Sequence, residues 1–424
     1  MIKNIFDIAV IGAGPAGLIA AGRAAELGKR VILLEKNEKP GKKLLLAGKG
    51  RCNITNAESD IRKLVENYGE NGKFFFRAFS VFGPKNVIDF FENLNLKTKT
   101  ERGQRVFPLS DQSEDVLAAL IKYLSKNKVI IKYNSEVIGI DRQDREIKKI
   151  ILKNGEVAAQ NYIFCTGGKS YPSTGSVGDG FKWASELGHQ IKELSPALVP
   201  IETKENWVKE LQGLSLKNVR VSVFQNPTSN QAPDGISVKK YSEFGECLFT
   251  HFGLSGPIIL TISKKVGELL KNGEVKISLD LKPALDFEKL DERIQRDFKK
   301  YQNKALKNSL TDLLPHKLIP VVIKLSSIDP EKKVNKISRE ERRNLAKFFK
   351  NMEMTAKGLL GFNSAIITKG GVSLKEIDDK TMRSKIIDNL FFAGEIIDID
   401  GPTGGFNLQI CWSTGYLAGE NAAK

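Results

Sequence analysis

The chain has 424 residues, 41% hydrophobic and 27% charged, a balance that excludes a disordered or fibrous chain and allows two or three domains with a sizeable core. Its four cysteines (Cys52, Cys165, Cys247, Cys411) and three histidines (His189, His251, His316) are scattered without C-x-x-C or zinc spacing, so neither disulfide scaffold nor metal is expected; with no apolar run of membrane-spanning length, no membrane partner is expected either. The net charge of +16 favours a polyanionic partner, whether nucleic acid, an anionic membrane or the ribosome, against the alternative of a surface that is simply basic.

The chain enters a strand almost at once, so no signal peptide and a reduced, cytoplasmic protein are expected. From Phe6 the sequence reads FDIAVIGAGPAGLIAAGRAAELGKRVILLEK. Ile8, Val10 and Ile11 predict a buried parallel strand, Ala16 to Leu27 a helix ended by Gly28, and Val31 to Leu34 a second strand with Glu35 at its end. Gly12, Gly14 and Gly17 stand in G-x-G-x-x-G spacing. The first allows a tight turn, the second lets a pyrophosphate approach the backbone, and the third lets helix and strand pack closely. The helix N-terminus offers N–H groups and a positive dipole end to phosphates, and Glu35 offers acceptors to the hydroxyls of an adenosine ribose. This order of strand, turn, helix, strand and acid predicts a dinucleotide site, for NAD or for FAD.

Pro40 to Asn56 is rich in Gly and Lys and reads as a loop carrying Lys42, Lys43, Lys49 and Arg51. Helical patterns fill Ile61 to Leu94. A strand at Arg105 to Phe107, a helix at Ser113 to Lys126 and a strand at Val129 to Ile131 follow. Glu136 to Ile140, Glu146 to Leu152 and Val157 to Ala159 read as an antiparallel meander. A buried strand, Tyr162 to Cys165, stops at Thr166-Gly167-Gly168, where backbone can approach a neighbour closely. From about Leu194 the character changes. Strands at Ser215 to Phe224 and Glu246 to Thr250 and helices at Pro257 to Leu270 and Asp286 to Tyr301 predict an inserted domain over 194–345. It divides a first domain into parts 1–193 and 346–424. Segment 281–350 holds 18 Lys and Arg against 10 Asp and Glu. Its Lys332, Lys333 and Lys336, whose nearest acid is Glu331, are expected to be freer than Arg342 and Arg343 beside Glu340 and Glu341.

The resumed domain carries Ser364 to Val372, a buried strand at Asn389 to Glu395 ending in Gly394-Glu395, and a helix over Asn407 to Ala422 behind Gly404-Gly405. A strand ending in Gly-Glu, a glycine loop and a helix aimed back at the site follow a flavin-binding logic. Glu395 would take ribityl hydroxyls, and the helix dipole would favour the reduced ring. Only one dinucleotide fingerprint is present, so no separate NAD(P)H domain is expected.

The stretches KKLLLAGKGRCNITN, GQRVFP, GECLFTHFGLSGP, ITKGGV and LFFAGEIIDIDGPTGGFNLQICWSTGYLAG resemble those of a bacterial flavoprotein family whose members are usually labelled NAD(P)/FAD-dependent oxidoreductases. The resemblance runs from end to end. It implies an α/β fold with a glutathione-reductase-type FAD-binding Rossmann domain, interrupted by a β-barrel and helical insert. It implies FAD as cofactor and NAD(P)H as reductant. Activities in such families include reduction of bile-acid-like enones, oxidation of aminoacetone and reduction of a uridine in 23S ribosomal RNA to dihydrouridine. Carried over position by position, the FAD contacts fall on Gly12, Gly14, Ala16, Glu35, Lys36, Arg51, Cys52, Asn53, Val137, Thr166, Gly167, Gly394, Glu395, Asn407 and Leu408. Val137 would meet the adenine through its backbone. Lys49 stands where many relatives have Gly.

Flavin supplies hydride chemistry, so the protein must place the substrate and move a proton. Cys52, in the loop expected beside the ring, is one proton-donor candidate, with a small packing residue as the alternative. His251 is the other, against a plain turn histidine. Arg51 is expected on the FAD pyrophosphate, with an anionic substrate as the alternative. Three functions follow in order: a flavin reductase acting on uridine in ribosomal RNA, an oxidoreductase of a small ketone, enone or amine, and a non-catalytic FAD-stabilised RNA- or ribosome-binding protein.

Overall fold

The glycine-loop segment forms a β-α-β crossover in the computed structural model, which describes residues 6–225 and 238–424. It consists of β1 (Phe6–Ile11), α1 (Pro15–Glu26) and β2 (Val31–Leu34). β1 is central in a five-stranded parallel sheet ordered Leu390–Phe392, Ala159–Phe164, β1, β2, Ile130–Lys132. Ile8, Val10 and β2 are buried, as the near-continuous apolar runs of a two-sided sheet require. The order reverses at β1, with β2 on one side and Ala159–Phe164 on the other. The carboxyl ends of these strands therefore frame the crevice where open α/β sheets bind ligands.

The chain forms two compact units, 1–197 with 362–424, and 198–361. The expected insert over 194–345 stops short at its far edge, because strand Met352–Leu359 pairs with Val275–Asp280 and Ile201–Thr203 to close the barrel. That barrel has six strands, running Ile201–Thr203, Gly253–Ser255, Val238–Phe249, Ser215–Gln225, Val275–Asp280 and Met352–Leu359. Alternation in Ser215–Gln225 sends Leu216, Val219, Val221 and Val223 inward. Helices Pro257–Leu270, Phe287–Lys300 and Arg339–Lys350 belong to the same unit. Asp286 and Ser338 cap the last two by accepting from Lys289 N and Glu341 N.

In the first unit the expected loop over 40–56 contains a short helix, Lys42–Leu46, with Leu44 buried beneath it. The meander forms as Val137–Gln143, Glu146–Leu152 and Gly155–Val157. Helix Phe406–Ala422 lies against α1. Its Gly415 and Gly419 allow this, since an added Cβ would stand 2.4 Å from the carbonyl oxygens of Ala16 and Ala20 respectively. Among the described residues, no helix is long and apolar enough to cross a membrane and no group of three or more His, Cys, Asp or Glu is placed to hold a metal.

Candidate cofactor site

The three fingerprint glycines meet three different surroundings. A Cβ on Gly12, at φ +101°, would fall 2.6 Å from Cys165 O. One on Gly17 would fall 1.9 Å from Gly12 O, so both positions are closed by backbone. One on Gly14 would meet no protein atom within 4 Å. Gly14 also caps α1 with Pro15 behind it and without a side-chain hydrogen bond, so the dipole end and first-turn N–H groups face that open space. An uncrowded backbone at a helix N-terminus, flanked by two crowded glycines, fits a pyrophosphate.

Glu35 is buried at the end of β2. Its Oε2 accepts from Ala13 N at 2.9 Å and its Oε1 from Asn37 N and Nδ2 at 2.9 and 2.7 Å. The carboxylate is thereby fixed beside the glycine loop with lone pairs to spare for ribose hydroxyls. Ser135 N donates to Glu35 O, which brings the buried Val137 to the same end of the crevice. Lys36 is turned aside into an ion pair with Asp179 at 2.8 Å.

Thr166 and Gly167 come one residue after strand Ala159–Phe164, and Thr166 Cα lies 3.2 Å from the Cβ that Gly12 lacks. Gly394 follows Leu390–Phe392 and abuts Ala16. The structure therefore gathers Gly12, Gly14, Ala16, Glu35, Thr166, Gly394 and Glu395 at the carboxyl ends of one sheet. Glu395 is held from several sides. Its Oε2 accepts from Lys43 Nζ at 2.6 Å, and its Oε1 from Thr368 N at 2.7 Å and Ser170 Oγ at 3.0 Å. Sequence reasoning missed Ser170 and Thr368 and gave Lys43 no partner; only the K-K in KKLLL and the threonine of ITKGGV hinted at them.

Other expectations change. Arg51 does not turn to a phosphate site in this structure. It reaches Asp111 Oδ1 at 2.6 Å and Glu101 Oε1 at 2.5 Å, and its guanidinium stacks 4.0 Å from the Phe107 ring centroid. The hydrogen bond from Arg51 holds the Glu101 carboxyl below the usual range, and Lys99, then Arg51, does the same for Asp111. Cys52 is fully buried at φ +57°, and burial alone pushes its thiol well up. It has no accessible surface through which to hand a proton to a substrate in this structure, and it packs in the core.

Asn53, with its amide turned so that the oxygen accepts from Gly405 N at 2.9 Å, donates to Thr55 O and Val106 O. Asn407 ties Gly401 and Pro402 to the closing helix through their backbone, and Leu408 is partly buried against the core. Asn53 and Asn407 thus shape the glycine loop through scaffold contacts. His251 belongs to the other unit, exposed in the turn Thr250–Gly253, with its ring against Phe252.

Fold and cradle together define an oxidoreductase with a Rossmann-type FAD-binding domain. The chain belongs to the HI0933-like protein Rossmann domain family, which matches residues 6–421. It is similar, at 30% identity over 98% of this chain and 99% of the relative, to a 3-dehydro-bile acid delta(4,6)-reductase of Clostridium scindens. It is similar, at 28% identity over 99% of both chains, to a ribosomal RNA dihydrouridine synthase of Escherichia coli. Among solved structures, a 3-ketosteroid delta1-dehydrogenase of Sterolibacterium denitrificans has TM-score 0.53 at 13% identity, covering 99% of this chain and 100% of that one. A flavocytochrome c3 fumarate reductase has TM-score 0.52 at 15% identity, covering 99% and 78%. These likenesses speak for the fold.

Proposed function

We propose that this oxidoreductase reduces a C=C bond conjugated to a carbonyl, with NAD(P)H as reductant and uridine in ribosomal RNA as the favoured substrate. The reactions named for the two relatives share one chemistry, because the C5=C6 bond of uracil is conjugated to C4=O as an enone's C=C is to its ketone. Bound FAD would supply the hydride. The glycine loop of α1 would hold its phosphates, Glu35 its ribose and Glu395 its ribityl chain. A proton must reach the carbon next to the carbonyl. Of the two donor candidates the sequence offers, Cys52 is buried and His251 is exposed, so His251→Ala is the first variant to test for loss of turnover.

The observation favouring RNA is the row Lys333, Lys336 and Arg339. All three are exposed, and no ion pair of theirs is found among the described residues. Such cations can neutralise phosphates and release counterions. The small-enone reading rests on the similarity to the Clostridium scindens reductase. Nucleoside mass spectrometry of ribosomal RNA with and without the gene separates them. Loss of a dihydrouridine on deletion is the expected result. Unchanged RNA, together with NAD(P)H-dependent turnover of a steroid enone by the purified protein, overturns the RNA reading in favour of the small molecule.

A further inference from the structure

Lys43 Nζ contacts both Glu395 Oε2 at 2.6 Å and Ser170 Oγ at 2.8 Å. Ser170 Oγ donates in turn to Glu395 Oε1. Thr368 closes the ring, giving its N–H to Glu395 Oε1 and accepting Lys169 N and Ser170 N on its own Oγ1 at 2.8 and 3.2 Å. Ser170 and Thr368 are fully buried, and the Lys43 and Glu395 side chains are only 23% and 15% exposed. Gly168 makes room, since a Cβ there would lie 2.4 Å from Thr368 Oγ1 and 2.8 Å from Glu395 Oε1. A network this enclosed, with its cation supplied from the helix after the glycine-rich crossover, is built to hold one carboxylate in one orientation as a neutral pair.

We propose that Lys43 is a positioning residue of the cofactor site, orienting Glu395 and setting the charge that the flavin meets; this rests on the reading that Glu395 takes the ribityl chain. Removing the cation leaves the Glu395 carboxylate uncompensated, which penalises the more negative reduced flavin. Removing the anion leaves Lys43 uncompensated and does the opposite. A scaffold role alone gives no such pair of opposite signs.

The test uses the full chain, with FAD affinity from fluorescence titration and midpoint potential from spectroelectrochemistry. Lys43→Met is expected to weaken FAD binding about tenfold or more and to lower the potential by about 30 mV for each tenfold loss of preference for the reduced form. Lys43→Arg should restore most of both, and Glu395→Gln should raise the potential. If Lys43→Met binds too weakly for potentiometry, the sign of the Glu395→Gln shift decides. Unchanged affinity and potential in Lys43→Met, or shifts of the same sign in the two variants, overturn the role of Lys43 while leaving the FAD site standing. A wild-type chain that cannot be loaded with FAD overturns the cofactor reading itself.

Discussion

At the scale of single residues, the fingerprint glycines separate binding from folding. Gly14→Val places its side chain in open space at a helix cap, for about 1 kcal/mol. The expected product is a folded, colourless protein, checked by thermal melting beside FAD content. Gly17→Ala drives a methyl into the Gly12 carbonyl and should cost about 3 kcal/mol or more. The same fingerprint spacing announced both positions, but only the structure shows which is held by protein and which by empty space. Cys52 illustrates the converse. Its place in the loop pointed to chemistry, whereas it is buried in a core assembled from distant segments that no local pattern discloses. Cys52→Ala should lower stability by about 1 kcal/mol and leave turnover within a few-fold of wild type; a hundredfold loss of turnover with FAD retained would restore the acid role.

Among the elements, the strongly patterned ones were legible. Helices Ser113–Lys126 and Pro257–Leu270 occupy the expected residues, because periodicity and length agree there and Pro257 stands at the start of the second. Short strands such as Ile201–Thr203 and Gly253–Ser255 were not, since their pairing comes from the closing of the barrel rather than from alternation. The closing helix was legible as a helix but not as the partner of α1. Small residues four apart, Gly415 and Gly419, mark that seam, and their meaning depends on the facing Ala16 and Ala20. Gly419→Val should force the two helices apart, lower the melting temperature by several degrees and reduce FAD content in parallel, because α1 carries the phosphate end of the site. Unchanged melting would mean that the seam relaxes at no cost.

Across the whole molecule, sequence neighbours misled about charge. Lys332 pairs with Glu341 at 2.7 Å, Arg342 with the buried Asp291 at 2.8 Å and Arg343 with Glu288 at 3.0 Å. The last two partners lie dozens of residues upstream, so no reading of adjacent acids could find them. Of the expected free lysines, Lys333 and Lys336 are exposed without an ion pair among the described residues, and Arg339 joins them. Neutralising these three should reduce the salt slope of RNA binding by about 2, at about 0.7 per phosphate on single strands, with FAD content unchanged. Arg342→Gln should instead destabilise the fold by stranding Asp291. An unaltered salt slope in the triple variant would count against RNA as substrate. The discontinuity of the first unit has a consequence for biosynthesis. Translation delivers β1, α1 and β2 first, then all of 198–361, and only afterwards Glu395, the strand that flanks Ala159–Phe164 and the helix that covers α1. A nascent chain therefore carries the glycine loop and Glu35 long before Glu395 exists. On the proposed reading of Glu35 and Glu395, cofactor loading awaits translation of this last segment, and a chain cut short before it would leave a sheet edge unpaired on the ribosome, a liability for aggregation.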